Sequence, residues 1–97
     1  MLRMLKITGD SLAPEYQEGD FVFISKIPFI FNPPSQGDVV AFRQPGYGLL
    51  IKRIMQLNEG DTLEVVGSNA GSIDSRTFGP IRRVSILGKV IWHIRKP

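Results

Sequence analysis

Ninety-seven residues, 42% of them apolar and 22% charged, suffice for one hydrophobic core and are too few for two. A net charge of +3 is mildly basic, but apart from Arg82-Arg83 and Arg95-Lys96 the cations are scattered; with no aromatic-and-basic stripe they read as solvated charge and exclude a nucleic-acid reader. The lack of cysteine excludes disulfides, thiol nucleophiles and thiolate metal sites, and the lone His93 cannot build a metal cluster.

No run approaches the roughly 18 apolar residues of a membrane span, and the N-terminus lacks a signal-peptide pattern. The expectation is one domain over residues 1–97, cytoplasmic, without metal or cofactor.

In chain order, residues 4–8 alternate weakly as a strand and lead into Thr8-Gly9-Asp10-Ser11-Leu12-Ala13-Pro14. Gly9 permits backbone geometry that other residues resist and Pro14 stiffens the exit, so Ser11 is expected on a defined, exposed bend. Residues 11–18 can hold a single helical turn, closed by Gly19-Asp20. Residues 21–25, Phe-Val-Phe-Ile-Ser, are aromatic and β-branched, which predicts a strand buried on both faces.

Residues 27–34 are apolar but fenced by Pro28, Pro33 and Pro34, which cannot donate to a sheet ladder, so a loop or sheet edge is expected. Phe29 and Phe31 either tuck beneath the sheet as a satellite core or form an exposed patch for a partner or a membrane surface. Gly37-Asp38 turns into a strand at 39–42. Gln44-Pro45-Gly46-Tyr47-Gly48 is hairpin chemistry, and a long strand follows at 49–57. Residues 58–61 turn the chain into a strand at 62–66. Residues 67–76 are a polar loop, 82–85 a short connection, and 86–94 a strand that closes the sheet. Short strands with this density of turns predict a mainly β fold, a small coiled antiparallel sheet or partial barrel.

Three stretches carry possible chemistry. A serine held on a bend, as Ser11 is, presents a nucleophile or merely turns a corner. In the long strand Lys52 shares one face with Leu50 and Ile54, while Arg53 shares the other with Ile51 and Met55. A buried arginine stays charged, whereas a buried lysine can lose its proton and act as a general base beside a serine; alternatively Lys52 snorkels to water from an amphipathic strand. The loop Gly67-Ser68-Asn69-Ala70-Gly71-Ser72-Ile73-Asp74-Ser75-Arg76 is rich in hydrogen-bonding groups, and Asp74 and Arg76 can pair to fix it. His93 lies in the last strand, where a packed or surface imidazole is expected.

Together, Gly9-Asp10-Ser11-Leu12-Ala13-Pro14, Gly19-Asp20, Gly37-Asp38-Val39-Val40, Ile51-Lys52-Arg53-Ile54, Ser72-Ile73-Asp74-Ser75-Arg76 and Gly88-Lys89 resemble the type I signal peptidase family, in its order of elements and over nearly the whole chain. Within that superfamily the chain looks most like the small soluble maturation proteases associated with nickel-type superoxide dismutase. Self-cleaving SOS-type repressors share the serine and lysine segments but lack the Ser-x-Asp-Ser-Arg loop.

The resemblance implies a serine endopeptidase that removes an N-terminal leader from a precursor protein. Ser11 matches the nucleophile and Lys52 the general base. Ser72 matches a serine that orients the lysine, and Asp74 and Arg76 a pair that supports the site. Some relatives have a serine hydroxyl donor at the position of Gly9, so here the oxyanion hole would rest on backbone N–H groups. Leu12 takes the place of the family's usual methionine and lines the cleft; with Leu50 and Ile51 it is expected to contact substrate, bound extended along a strand edge. Ser68 replaces the aspartate of a Gly-Asp-Asn loop. With only ten residues before Ser11, no N-terminal anchor is expected, and membrane contact is at most weak, through Phe29 and Phe31. Two other readings stay open: an inactive β-barrel peptide-binding module, and the catalytic domain of a self-cleaving regulator.

Overall fold

The computed structural model describes residues 2–9, 12–68 and 71–97. Its strands are β1 (Leu2–Lys6), β2 (Phe21–Ser25), β3 (Val39–Gln44), β4 (Gly48–Leu57), β5 (Thr62–Val66), β6 (Ile81–Arg82) and β7 (Ile86–Ile94). Two four-residue helices, α1 (Pro28–Phe31) and α2 (Ser75–Phe78), and a 3-10 turn at Arg83–Ser85 complete it. The strands form one open antiparallel sheet in the order β1-β2-β7-β3-β4-β5-β6. The expected mainly β, coiled antiparallel architecture is what the chain adopts.

The last strand does not close the sheet at an edge. β7 lies inside it, between β2 and β3, where its backbone N–H and C=O groups pair with an edge of each. Its pairing slips once against each neighbour, between Ala41 and Phe42 of β3 and between Phe23 and Ile24 of β2. Such bulges bend a strand and raise its twist, which curls the sheet without closing it. Gly88 sits where β2 crosses closely: a Cβ there would lie 3.0 Å from the Ser25 nitrogen and 3.2 Å from the Ile24 Cβ.

Alternation along β3 divides the core in two. Val39 and Ala41 point into a cluster with Ile7, Leu12, Tyr16, Val22 and Ile24. Val40 and Phe42 point into a second, with Ile54, Leu63, Val65, Ile81 and Ile86. Each cluster covers one face of the same central strands.

Several local expectations change. The first strand starts at Leu2 and ends at Lys6, so Ile7 and Thr8 already belong to the loop. In β2, Val22 and Ile24 are buried but Phe21 and Phe23 are half-buried, because the outer face of β1, β2 and β7 is uncovered. The proline-fenced segment is not a bare loop: Pro28 at the first helical position, where its missing N–H costs nothing, starts α1. The two phenylalanines part company. Phe29 packs against the second cluster, whereas Phe31 is 78% exposed. The polar loop ends in α2, which Asp74 caps, with its side chain accepting from Arg76 N–H. In β4 the register slips between Ile54 and Gln56, so Met55 is the extra residue of a bulge and is exposed instead of sharing the environment of Arg53.

Candidate active site

The cleft of interest has a volume of about 330 Å³ and lies between the end of β1, the loop after it, the first half of β4 and the loop before α2. Its lining includes Gly9, Leu12, Leu50, Ile51, Lys52 and Ser72. Six residues singled out from sequence therefore meet in one cavity, from segments far apart in the chain. Ser11 lies outside the described residues.

Lys52 reaches the cleft through strand geometry. It pairs in register with Val40 of β3 and projects to the same face as Leu50 and Ile54, where only 4% of it stays exposed. Burial pushes its ammonium below the ordinary lysine value; Asp74 opposes that shift and Arg76 adds to it. An amine so placed sheds its proton more readily than a surface lysine, which is what a general base needs. Snorkelling is not what the side chain does.

Arg53 goes the other way. It forms an ion pair with Glu15, and its Nη1 donates to Gly37 O at 3.0 Å. Adjacent cations on one strand thus take separate tasks: one buried in the cleft, the other tying the loop after Leu12 to the turn before β3.

Asp74 is fully buried and stands behind the cleft. Its carboxylate accepts from Gly67 N–H at 2.9 Å, from Arg76 N–H at 3.0 Å, and from the guanidinium of Arg76 at 3.0 and 2.7 Å. Burial alone would raise its pKa, but the Arg76 side chain and the two backbone donors outweigh burial and lower it to about 2. The next residue completes the brace: Ser75 Oγ accepts from Val65 N–H at 2.8 Å, stitching α2 to β5. Where the family resemblance places an aspartate at 68, this chain ties the loop one residue earlier, through Gly67 to Asp74.

Gly9 adopts φ +80°, and its N–H donates to Glu18 Oε1 at 3.1 Å, so this backbone donor is already engaged. His93 is a packed imidazole: its Nε2 lies 2.7 Å from Asp20 Oδ2, and its ring stacks at 4.4 Å on Tyr16.

Comparison with known proteins gives the geometry a family. Residues 1–91 match the family described as Peptidase S24-like. The chain belongs to that family. Among curated proteins, this Peptidase S24-like chain is similar to a probable signal peptidase I-1 of Synechocystis, 37% identical over 68 residues that cover 61% of this chain and 34% of the relative. It is similar to signal peptidase I V of Bacillus subtilis, 34% identical over 59 residues with the same 61% and 34% coverage. A signal peptidase I of Leptolyngbya laminosa is 33% identical over 70 residues, covering 63% of this chain and 34% of the relative. The chain thus spans about a third of the length of the curated relatives it matches. These matches bear out the resemblance to the type I signal peptidase superfamily.

The Peptidase S24-like cleft also contains residues that sequence reasoning did not single out: Leu5, Ile7, Tyr16 and Ile73. Ile7 and Thr8 continue the alternation of β1 and so carried a signal. Tyr16 gave none, because nothing local tells a cleft tyrosine from a loop one. Among the described residues no helix is long and apolar enough to cross a membrane.

Proposed function

We propose that this chain is a serine endopeptidase with a serine–lysine dyad, Ser11 as nucleophile and Lys52 as general base, that removes an N-terminal leader from a precursor protein. The observation that carries the reading is a buried lysine, depressed in pKa, lining the same cleft as Leu12 and Ser72. Arginine at that point would stay charged and could not take a proton.

In the first half-reaction the neutral Lys52 amine accepts the Ser11 hydroxyl proton as Oγ bonds to the peptide carbonyl carbon. Backbone N–H groups hold the resulting oxyanion. Collapse breaks the C–N bond, Lys52 returns its proton to the departing amine, and an acyl ester remains on Ser11. In the second, Lys52 accepts a proton from water as the hydroxyl bonds to the ester carbonyl. The ester C–O bond breaks, Lys52 passes its proton to Ser11 Oγ, and the product leaves as a carboxylic acid that ionises in solvent. Ser72 orients the lysine, and the Asp74–Arg76 pair keeps the loop bearing Ser72 in place. Substrate lies extended along a strand edge, against Leu12, Leu50 and Ile51. The enzyme works on a cytoplasmic precursor, and any membrane contact is at most weak and reversible, through the exposed Ile30 and Phe31.

The test is mass spectrometry of leader-bearing peptides incubated with the protein and with Ser11→Ala, starting with the leader of a nickel-type superoxide dismutase precursor. Cleavage at one bond, lost in Ser11→Ala and in Lys52→Met, is the expected result. Binding without cleavage would favour the inactive module, and cleavage confined to the protein's own chain would favour the self-cleaving regulator.

A further inference from the structure

Leu12 and Tyr16 share the cleft with Lys52; both are buried and are joined by a bond from Tyr16 N–H to Leu12 O at 3.0 Å. They belong to the long excursion between β1 and β2. Its base is tied at Ile7, whose N–H donates to Asp20 O at 2.7 Å and whose carbonyl accepts from Gly19 N–H at 2.9 Å. Within the excursion the Arg53–Glu15 ion pair holds one side, from β4. A second brace comes from the other end of the chain.

The carboxylate of Asp20 is 2% exposed and receives three donors, one from its own loop and two from the C-terminal end of the chain. Gln17 N–H reaches Oδ2 at 3.0 Å, Lys96 N–H reaches Oδ1 at 3.0 Å, and His93 Nε2 stands 2.7 Å from Oδ2. The backbone donors of Gln17 and Lys96, then the His93 side chain, hold this carboxyl well below the usual carboxylate range. An ionised carboxylate only accepts, so His93 Nε2 carries a proton toward it. With one nitrogen so engaged the ring is fixed, and its face meets Tyr16 at 4.4 Å with a 32° tilt.

We propose that His93, held by Asp20, is a positioning residue for the cleft: it backs Tyr16 and so sets the Leu12–Tyr16 wall against which substrate lies. Its activity readout rests on the peptidase reading above; its structural readout does not. Three proteins are compared, wild type, His93→Leu and His93→Gln, the last keeping an N–H donor near the Nε2 position.

Misplacing a cleft by about 1 Å can cost on the order of 100-fold in rate, and the expected loss of kcat/KM in His93→Leu is about 10- to 100-fold. The expected rise in KM is at least about threefold, which a reduced folded fraction would not produce because it lowers apparent kcat alone. His93→Gln recovers kcat/KM to within about threefold of wild type, since the donor to Asp20 is retained. In parallel, amide hydrogen exchange at Tyr16 speeds up at least about tenfold in His93→Leu, while amides of β3 and β4 keep their protection.

Unchanged Tyr16 exchange in His93→Leu overturns the proposal, as does a loss of activity that His93→Gln shares in full. If wild type cleaves nothing, the peptidase reading falls, and Tyr16 exchange still decides whether His93 holds the wall.

Discussion

At the scale of single residues, the adjacent cations of β4 divide by face. Lys52 shares its face with Leu50 and Ile54 and is desolvated, while Arg53 is paired with Glu15. This alternation was legible in the sequence; what it left open was whether the lysine would escape to water, since that depends on the cover supplied by the loop before α2. Two outcomes follow from the burial. Activity should rise with pH as the Lys52 amine deprotonates, with its limb below the ordinary lysine value of about 10.4 because burial favours the neutral form. A pH–kcat/KM profile with a single limb near the ordinary histidine value of about 6.5, abolished in His93→Gln, would remove Lys52 from the role of base. Lys52→Met should end cleavage yet leave thermal stability equal or higher, because an apolar side chain of similar length avoids the cost of charging a buried amine. A melting temperature lowered by more than about 4 °C would show that the ammonium is a structural ion-pair partner.

At the scale of elements, turn chemistry was the easiest part to read. Gly37-Asp38, the hairpin around Gly46 and the Gly60-Asp61 turn all lie where glycine or a short polar residue was needed, with φ positive at Gly37, Gly46, Gly60 and Asp61. Register was harder, because a bulge such as the one at Met55 changes which face a side chain takes without a local signature. The fates of Phe29 and Phe31 were undecidable for a similar reason: α1 has one side against the second cluster and one in water. Phe31→Ser should therefore change unfolding free energy by no more than about 0.5 kcal/mol. Phe29→Ala, which removes packed area, should cost about 1–3 kcal/mol in the same urea titration. The brace at α2 depends on pH. Asp74 has a folded pKa of about 2, below the unfolded value of about 3.9, so its contribution is complete above the unfolded value and is lost as pH falls toward the folded one. Asp74→Asn should flatten the fall in stability between about pH 4 and pH 2. An acid profile identical to wild type would mean that the Arg76 and Gly67 contacts carry no net stability.

At the scale of the whole molecule, strand order in space departs from strand order in the chain, and no local pattern announced it. β7 completes the sheet between β2 and β3, so the first half of the chain has no continuous sheet until the last strand arrives. The two core clusters lie on opposite faces of β3, with Val39 and Ala41 in one and Val40 and Phe42 in the other. Neither cluster can melt without stripping the strand that the other requires. We therefore propose that residues 1–97 unfold as one cooperative unit. Near-UV circular dichroism reports on aromatic packing such as that of the buried Tyr16 ring in the first cluster, whereas far-UV circular dichroism reports on all strands. The two urea transitions should coincide, as two-state unfolding requires. Ile24→Ala in one cluster and Leu63→Ala in the other should each cost about 2–5 kcal/mol and shift both probes together. Separate midpoints in either variant would mean that the sheet is two units joined at β3, each with a stability of its own.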